Sequence, residues 1–116
     1  MTSTIAARRL IGAEGVVEYP LLSVEDGRLC RIDSLSANDS ERVQPTHRFP
    51  EATLVPAYVD IHIHGCAGHD VMEATPEALG TIGSYLASRG VGAYFPTTVT
   101  SPKDETMRSL AGLAIH

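Results

Sequence analysis

The residues best suited to chemistry stand close together. They are Asp60, His62 and His64, in the run Val55-Pro56-Ala57-Tyr58-Val59-Asp60-Ile61-His62-Ile63-His64-Gly65. Two imidazoles at i and i+2 leave the same face of an extended segment. They can then meet on one metal ion, at the ~2.0–2.1 Å typical of zinc–nitrogen bonds. Asp60 shares that face one layer deeper. It can accept the second ring N–H of a ligating imidazole, or be held by backbone donors; the sequence leaves both open. Five histidines in one chain make a chance His-x-His common, so the setting decides its meaning. Val59, Ile61 and Ile63 make an aliphatic opposite face. Gly65 ends the run, which puts the pair at the C-terminal tip of a strand, where α/β barrels keep their active sites. His62 and His64 are therefore the expected metal ligands.

Other candidates are weaker. His69 and Asp70 fall in the following loop, where they could touch substrate or metal, or where Asp70 could simply stabilise a turn. Cys66 reads as a loop cysteine packed as a small hydrophobe. Cys30 and Cys66 lack CxxC spacing and are expected to be free thiols. Thr97, Thr98 and Thr100 could line a pocket, but threonine is also a good strand former. His47 and His116 have no motif around them and read as surface residues.

The elements that must position these groups divide near Pro56. Before it, residues 16–19 are a brief strand candidate. Residues 21–25 and 28–32 flank Asp26-Gly27, a strong hairpin signal because Gly tolerates the positive φ of a tight turn. Residues 34–50 are polar with two prolines and predict mostly loop with at most one weak strand. After Pro56 the pattern becomes strand, helix, strand, helix. Residues 58–64 are the first strand. Thr75 as N-cap and Pro76 at the first helical position start a helix, Leu79, Ile82 and Leu86 form its apolar stripe with Tyr85 a further candidate, and Gly90 ends it. A second strand spans about residues 91–99. Ser101 then caps a second helix, with Asp104 three residues on and Met107, Leu110 and Leu113 or Ala114 facing inward. This alternation predicts a parallel sheet with crossover connections.

Composition bounds the rest. The chain has 116 residues, 43% hydrophobic and 20% charged, as a packed globular protein should. A formal charge of −5 with scattered basic residues argues against a nucleic-acid surface. No apolar run approaches the ~18–20 residues of a membrane span, and residues 1–10 have no signal-peptide core. A cytoplasmic protein is expected, with neither nucleic acid nor membrane as partner.

The run from Leu54 to Gly65 resembles the first barrel strand of the amidohydrolase superfamily. The continuation Gly65-Cys66-Ala67-Gly68-His69-Asp70-Val71-Met72-Glu73-Ala74-Thr75-Pro76 resembles the N-acetylglucosamine-6-phosphate deacetylase branch. So does Gly90-Val91-Gly92-Ala93-Tyr94-Phe95-Pro96-Thr97-Thr98-Val99-Thr100-Ser101. The resemblance covers residues 50–116 well and earlier residues only in style, through the hairpin.

The resemblance implies an α/β chain. Residues 1–55 would be the N-terminal part of a small β-sandwich, and residues 56–116 the first two βα units of a (β/α)8, TIM-like barrel. It implies a divalent metal, zinc or iron, that activates a water against the acetamide of a phosphorylated amino sugar, giving glucosamine 6-phosphate and acetate. His62 and His64 match the family's His-x-His. That pair is replaced in some members, which links it to a second or alternative metal site. The remaining ligands, the general base and the phosphate-binding residues match nothing in this chain. Ala57 stands where the family usually has Gly, which suggests a negative φ there. Cys66-Ala67 replaces part of a glycine-rich loop.

The expectation is a truncated, N-terminal portion of an enzyme, inactive alone, whose open sheet edges favour homo-oligomer formation or other association. Another amidohydrolase of dihydroorotase or deaminase type stays open. So do a non-catalytic, self-associating domain and one half of a split enzyme.

Overall fold

The computed structural model describes residues 1–115; His116, read above as a surface residue, lies outside the described residues. The chain divides into two compact units, Met1–Pro56 and Ala57–His116.

The first unit is one mixed sheet. Its central strand β1 (Thr2–Gly12) pairs antiparallel with β2 (Gly15–Glu18) and β3 (Pro20–Glu25), and parallel with β5 (His47–Leu54). Strand β4 (Arg28–Ser34) pairs antiparallel with β3. Asp26 at φ 48° and Gly27 at φ 77° form the turn of the β3–β4 hairpin, the doubly positive geometry that suits strand twist. Ala6 and Ala7 are both buried. Neighbours on a strand face opposite ways, so both faces of β1 are covered there. Glu18 bonds both Arg8 and Arg9 across the β1–β2 pair, at 2.5 and 2.9 Å. These hydrogen bonds, that from Arg9 foremost, hold its carboxyl below the usual glutamate range.

Residues 34–50 are not mostly loop. A short helix α1 (Ala37–Arg42) starts at Ser36, whose hydroxyl accepts the Asp39 N–H at 3.1 Å. It buries no residue, so no apolar stripe marks it. Strand β5 follows and contains Pro50. The β1–β5 register shifts between Ala7/Phe49 and Arg9/Thr53. Proline is tolerated in such a bulge because no ladder hydrogen bond is required of it. Strand β1 itself has no sequence signal, since Ala6-Ala7-Arg8-Arg9 breaks any alternation.

In the second unit β6 (Tyr58–Ile63) pairs parallel with β9 (Val91–Pro96). Between them lie a two-residue-per-strand hairpin, β7 (Gly65–Cys66) and β8 (His69–Asp70), a 3-10 turn (Val71–Glu73), and helix α2 (Pro76–Ser88). Thr75 caps α2 by accepting the Ala78 N–H at 3.2 Å. Ala78, Ile82 and Leu86 are its buried stripe; Leu79 is half-buried and Tyr85 exposed. Val71, Ile82 and Leu86 centre the core, with Ile63, Cys66, Val91, Tyr94 and Leu113 packed against it. Ile61, on the strand, stays 75% exposed, and Val59 is exposed too.

Three expectations for the end of the chain need correction. Strand β9 stops at Pro96 rather than near residue 99; proline has no N–H to continue a ladder. Helix α3 (Lys103–Leu113) has no side-chain cap, and the Ser101 hydroxyl donates instead to Glu105 at 2.5 Å. Met107 and Leu110 are exposed, while Ser109 is 1% exposed and Leu113 joins the core. Size sets this choice of face. A Cβ on Gly112 would lie 2.8 Å from both the Cβ and the carbonyl oxygen of Ala74, so α3 approaches the 3-10 turn through its smallest side chains.

Candidate metal centre

His62 closes β6 beside Ile63, and His64 is the first residue past the strand. Both rings are exposed and converge. Their Nε2 atoms are 3.1 Å apart, with the ring planes at 87°. The rings do not diverge, nor are they buried among aliphatic groups.

His64 is held at three points. Its Nδ1–H donates to the Thr97 carbonyl at 2.9 Å. Its own carbonyl accepts the N–H of Val71, a fully buried core residue, at 2.7 Å. The next residue, Gly65, sits at φ 151°, where a Cβ would lie 2.2 Å from the His69 carbonyl oxygen. Only glycine lets the β7–β8 hairpin fold back so closely behind His64. The hairpin turns through Ala67 at φ 54° and Gly68 at φ 86°. Left-handed backbone is unfavourable for alanine by roughly 1–2 kcal/mol.

The Asp60 carboxylate is half-buried and accepts the main-chain N–H of His62 at 3.0 Å. It thus acts on the backbone of a candidate ligand rather than on its ring. His69 and Asp70 are turned to local structure. Asp70 caps the 3-10 turn by accepting the Met72 N–H, and Glu73 accepts the Asp70 N–H, each at 2.7 Å. His69 Nδ1 is 3.2 Å from the other Glu73 oxygen. The Asp70 N–H, and after it His69, hold the Glu73 carboxyl below its usual range. His64, Cys66, His69, Asp70 and Glu73 do share one open depression of about 400 Å3.

Known proteins supply the context for this geometry. No protein-family model matches the chain. It is 36% identical over 114 residues to N-acetylgalactosamine-6-phosphate deacetylase from Escherichia coli O157:H7, spanning 98% of this chain and 28% of that protein. It is 37% identical over 109 residues to N-acetylglucosamine-6-phosphate deacetylase from Vibrio furnissii, spanning 94% of this chain and 27% of that protein. The chain is homologous to the N-terminal portion of N-acetylglucosamine-6-phosphate deacetylase. It spans little more than a quarter of the length of these deacetylases.

Solved deacetylases share its fold. The N-acetyl-D-glucosamine-6-phosphate deacetylase of Mycobacterium smegmatis superposes with a TM-score of 0.84 at 20% identity, over 97% of this chain and 31% of that one. The enzyme of Pasteurella multocida superposes at 0.77 with 16% identity, over 99% of this chain and 30% of that one.

The two imidazoles suit a divalent metal. Neutral imidazole nitrogens are ordinary ligands of such ions, and the two Nε2 atoms lie side by side at 3.1 Å. Two ligands do not complete a site. Among the described residues no group of three or more His, Cys, Asp or Glu could hold a metal ion.

Composition and spacing could not single out Thr97 for its carbonyl, because every residue has one. The register of the β6–β9 pair brings it to His64. Ala57 has no positive φ, in keeping with the absence of glycine there, and its Cβ fills space that Gly92 leaves free, since a Cβ on Gly92 would lie 2.7 Å away. No helix among the described residues is long and apolar enough to cross a membrane.

Proposed function

We propose that this chain contributes His62 and His64 to the metal centre of an amidohydrolase that deacetylates an N-acetylhexosamine 6-phosphate. The carrying observation is the 3.1 Å approach of the two Nε2 atoms at the C-terminal tip of a parallel strand. It lies in a segment 36–37% identical to hexosamine-phosphate deacetylases. On this reading residues 1–55 belong to a β-sandwich, and residues 56–116 form the first βα units of a (β/α)8 barrel. His62 and His64 would hold a divalent ion, zinc or iron, which when bound would supply a water of lowered pKa and polarise the acetamide carbonyl. Water adds to that carbonyl, the C–N bond breaks, and acetate and the amino sugar phosphate leave. The role of this chain's residues is to fix two imidazoles at the barrel mouth; none of them is assigned the general base.

The chain by itself should not turn over substrate, because two ligands leave the ion under-coordinated and two strands cannot close a barrel. The test is acetate release from N-acetylglucosamine 6-phosphate and its galactosamine epimer, with zinc or iron(II) present. The chain is assayed alone and mixed with the remaining three quarters of the Escherichia coli relative. We expect activity only in the mixture, and loss of it with His62→Ala or His64→Ala. Turnover by the chain alone would overturn the inactivity. Unchanged activity in both alanine variants would overturn the metal assignment.

Exposed Ile61, Val59 and Phe95 beside the two-stranded β6–β9 sheet favour a second reading, self-association through apolar faces and free edges. A native mass at a multiple of 12.4 kDa, unchanged by chelator, would be its signature.

A further inference from the structure

We propose that Thr97 is the positioning residue of this site: its carbonyl sets the tautomer of His64, and its hydroxyl fastens the strand ends that carry the pair. The proposal rests on the reading of His62 and His64 as metal ligands and says how they are prepared for that task.

A carbonyl oxygen only accepts, so the 2.9 Å contact between His64 Nδ1 and the Thr97 oxygen requires the proton on Nδ1. The neutral ring then carries its lone pair on Nε2, the atom that faces His62. A bare His64 Nε2 at 3.1 Å accepts from the Nε2–H of His62. The two rings therefore hold opposite tautomers. His64 already presents a ligating nitrogen. His62, whose Nδ1 has no hydrogen-bond partner among the described residues, must move its proton from Nε2 to Nδ1 before it can do the same.

Thr97 is fitted to hold this arrangement. Its N–H donates to the Ile63 carbonyl at 2.8 Å. Its hydroxyl accepts the Ile63 N–H at 3.3 Å and donates to the Phe95 carbonyl at 3.0 Å. The β6–β9 register is irregular between Asp60 and Ile63, and Ile63 faces Pro96, which has no N–H. One side chain thus bridges the strands where the ladder is weakest. Both polar main-chain groups of the residue between the two histidines end on Thr97. Losing the hydroxyl frees the strand end, and the carbonyl then no longer meets His64 in a fixed direction.

The test is long-range proton–nitrogen correlation on the 15N-labelled full chain at pH 8 without metal, followed by zinc titration. We expect His64 protonated at Nδ1 and His62 at Nε2, with both at Nδ1 once zinc is bound. Thr97→Val keeps the β-branched shape without the hydroxyl. It should move the His64 ring nitrogens toward averaged shifts and weaken the zinc Kd by about tenfold, and Thr97→Ser should restore both. A wild-type His64 protonated at Nε2 would overturn the proposal, and that measurement needs no variant to fold. So would a Thr97→Val protein with wild-type ring shifts and zinc Kd. The stated tautomers with no zinc binding, even after the remaining three quarters of the Escherichia coli relative are added, would sink the metal reading while upholding the role of Thr97.

Discussion

The two units share long-range parallel strand pairing and differ in what accompanies it. In the first, the central strand β1 joins β5 from some forty residues away, as in the Ile5–His47 and Ala6–Arg48 pairs. Its buried residues are Ala6, Ala7, Leu10, Leu22 and Pro20. In the second, β6 joins β9 from 33 residues away, as in the Tyr58–Val91 pair, and short-range devices fill the span between: the Thr75 cap, the Asp70–Glu73 capping box and the two-strand turn at Ala67-Gly68. Val71, Ala78 and Ile82 there are wholly buried. The candidate ligands stand on the unit with the denser core. A geometry fixed to a few tenths of an ångström needs support that does not give.

The largest expected effect probes the tightest point of the second unit. Gly65→Ala should cost about 5 kcal/mol in urea unfolding, since the new Cβ would lie 2.2 Å from the His69 carbonyl oxygen and meets backbone rather than a movable side chain. Wild-type stability in that variant would show that the fold-back behind His64 is looser than described. Core truncation comes next. Ile82→Ala should cost about 4 kcal/mol at most and Leu22→Ala about 2 kcal/mol, because the closed site cannot collapse as easily as the thin sheet. A reversed order would break the contrast between the units.

Ser109→Ala should stabilise by about 1 kcal/mol. The Ser109 hydroxyl is buried with no hydrogen-bond partner among the described residues, and a melting-temperature rise would confirm it. The smallest effect is acid sensitivity, and both units should show it. Glu18 and Glu73 have carboxyl pKa values lowered in the folded chain. Their contribution is therefore full above the ordinary glutamate value and fades as pH falls through the lowered one. Both side chains are solvent-exposed, so Glu18→Gln and Glu73→Gln should each flatten the acid limb of the stability curve only slightly. An unflattened limb in either variant would remove that carboxylate from the comparison.

Legibility followed the reach of the contacts rather than the division into units. The strand carrying the histidines, the start and stop of α2 and the Asp26-Gly27 hairpin were all readable, because each depends on chemistry within a few residues. Strand β1, helix α1 and most of β5 were not. A central strand paired on both sides needs no alternation, and a short helix that buries no residue needs no apolar stripe. The inward face of α3 was misjudged for a related reason: hydrophobic spacing favours Met107 and Leu110, but Ser109 is the residue buried and Gly112 is the one that lies against Ala74.

The amino-acid order alone determined that two imidazoles leave one side of an extended segment and that a glycine follows them, because side-chain alternation is a local property of the backbone. Tertiary structure decided what holds those rings. The Thr97 carbonyl reaches His64 only through the pairing of strands 33 residues apart. It also turned Asp60 onto a backbone amide, and His69 and Asp70 toward Glu73, because a polar group bonds to whichever partner the folded chain brings within reach.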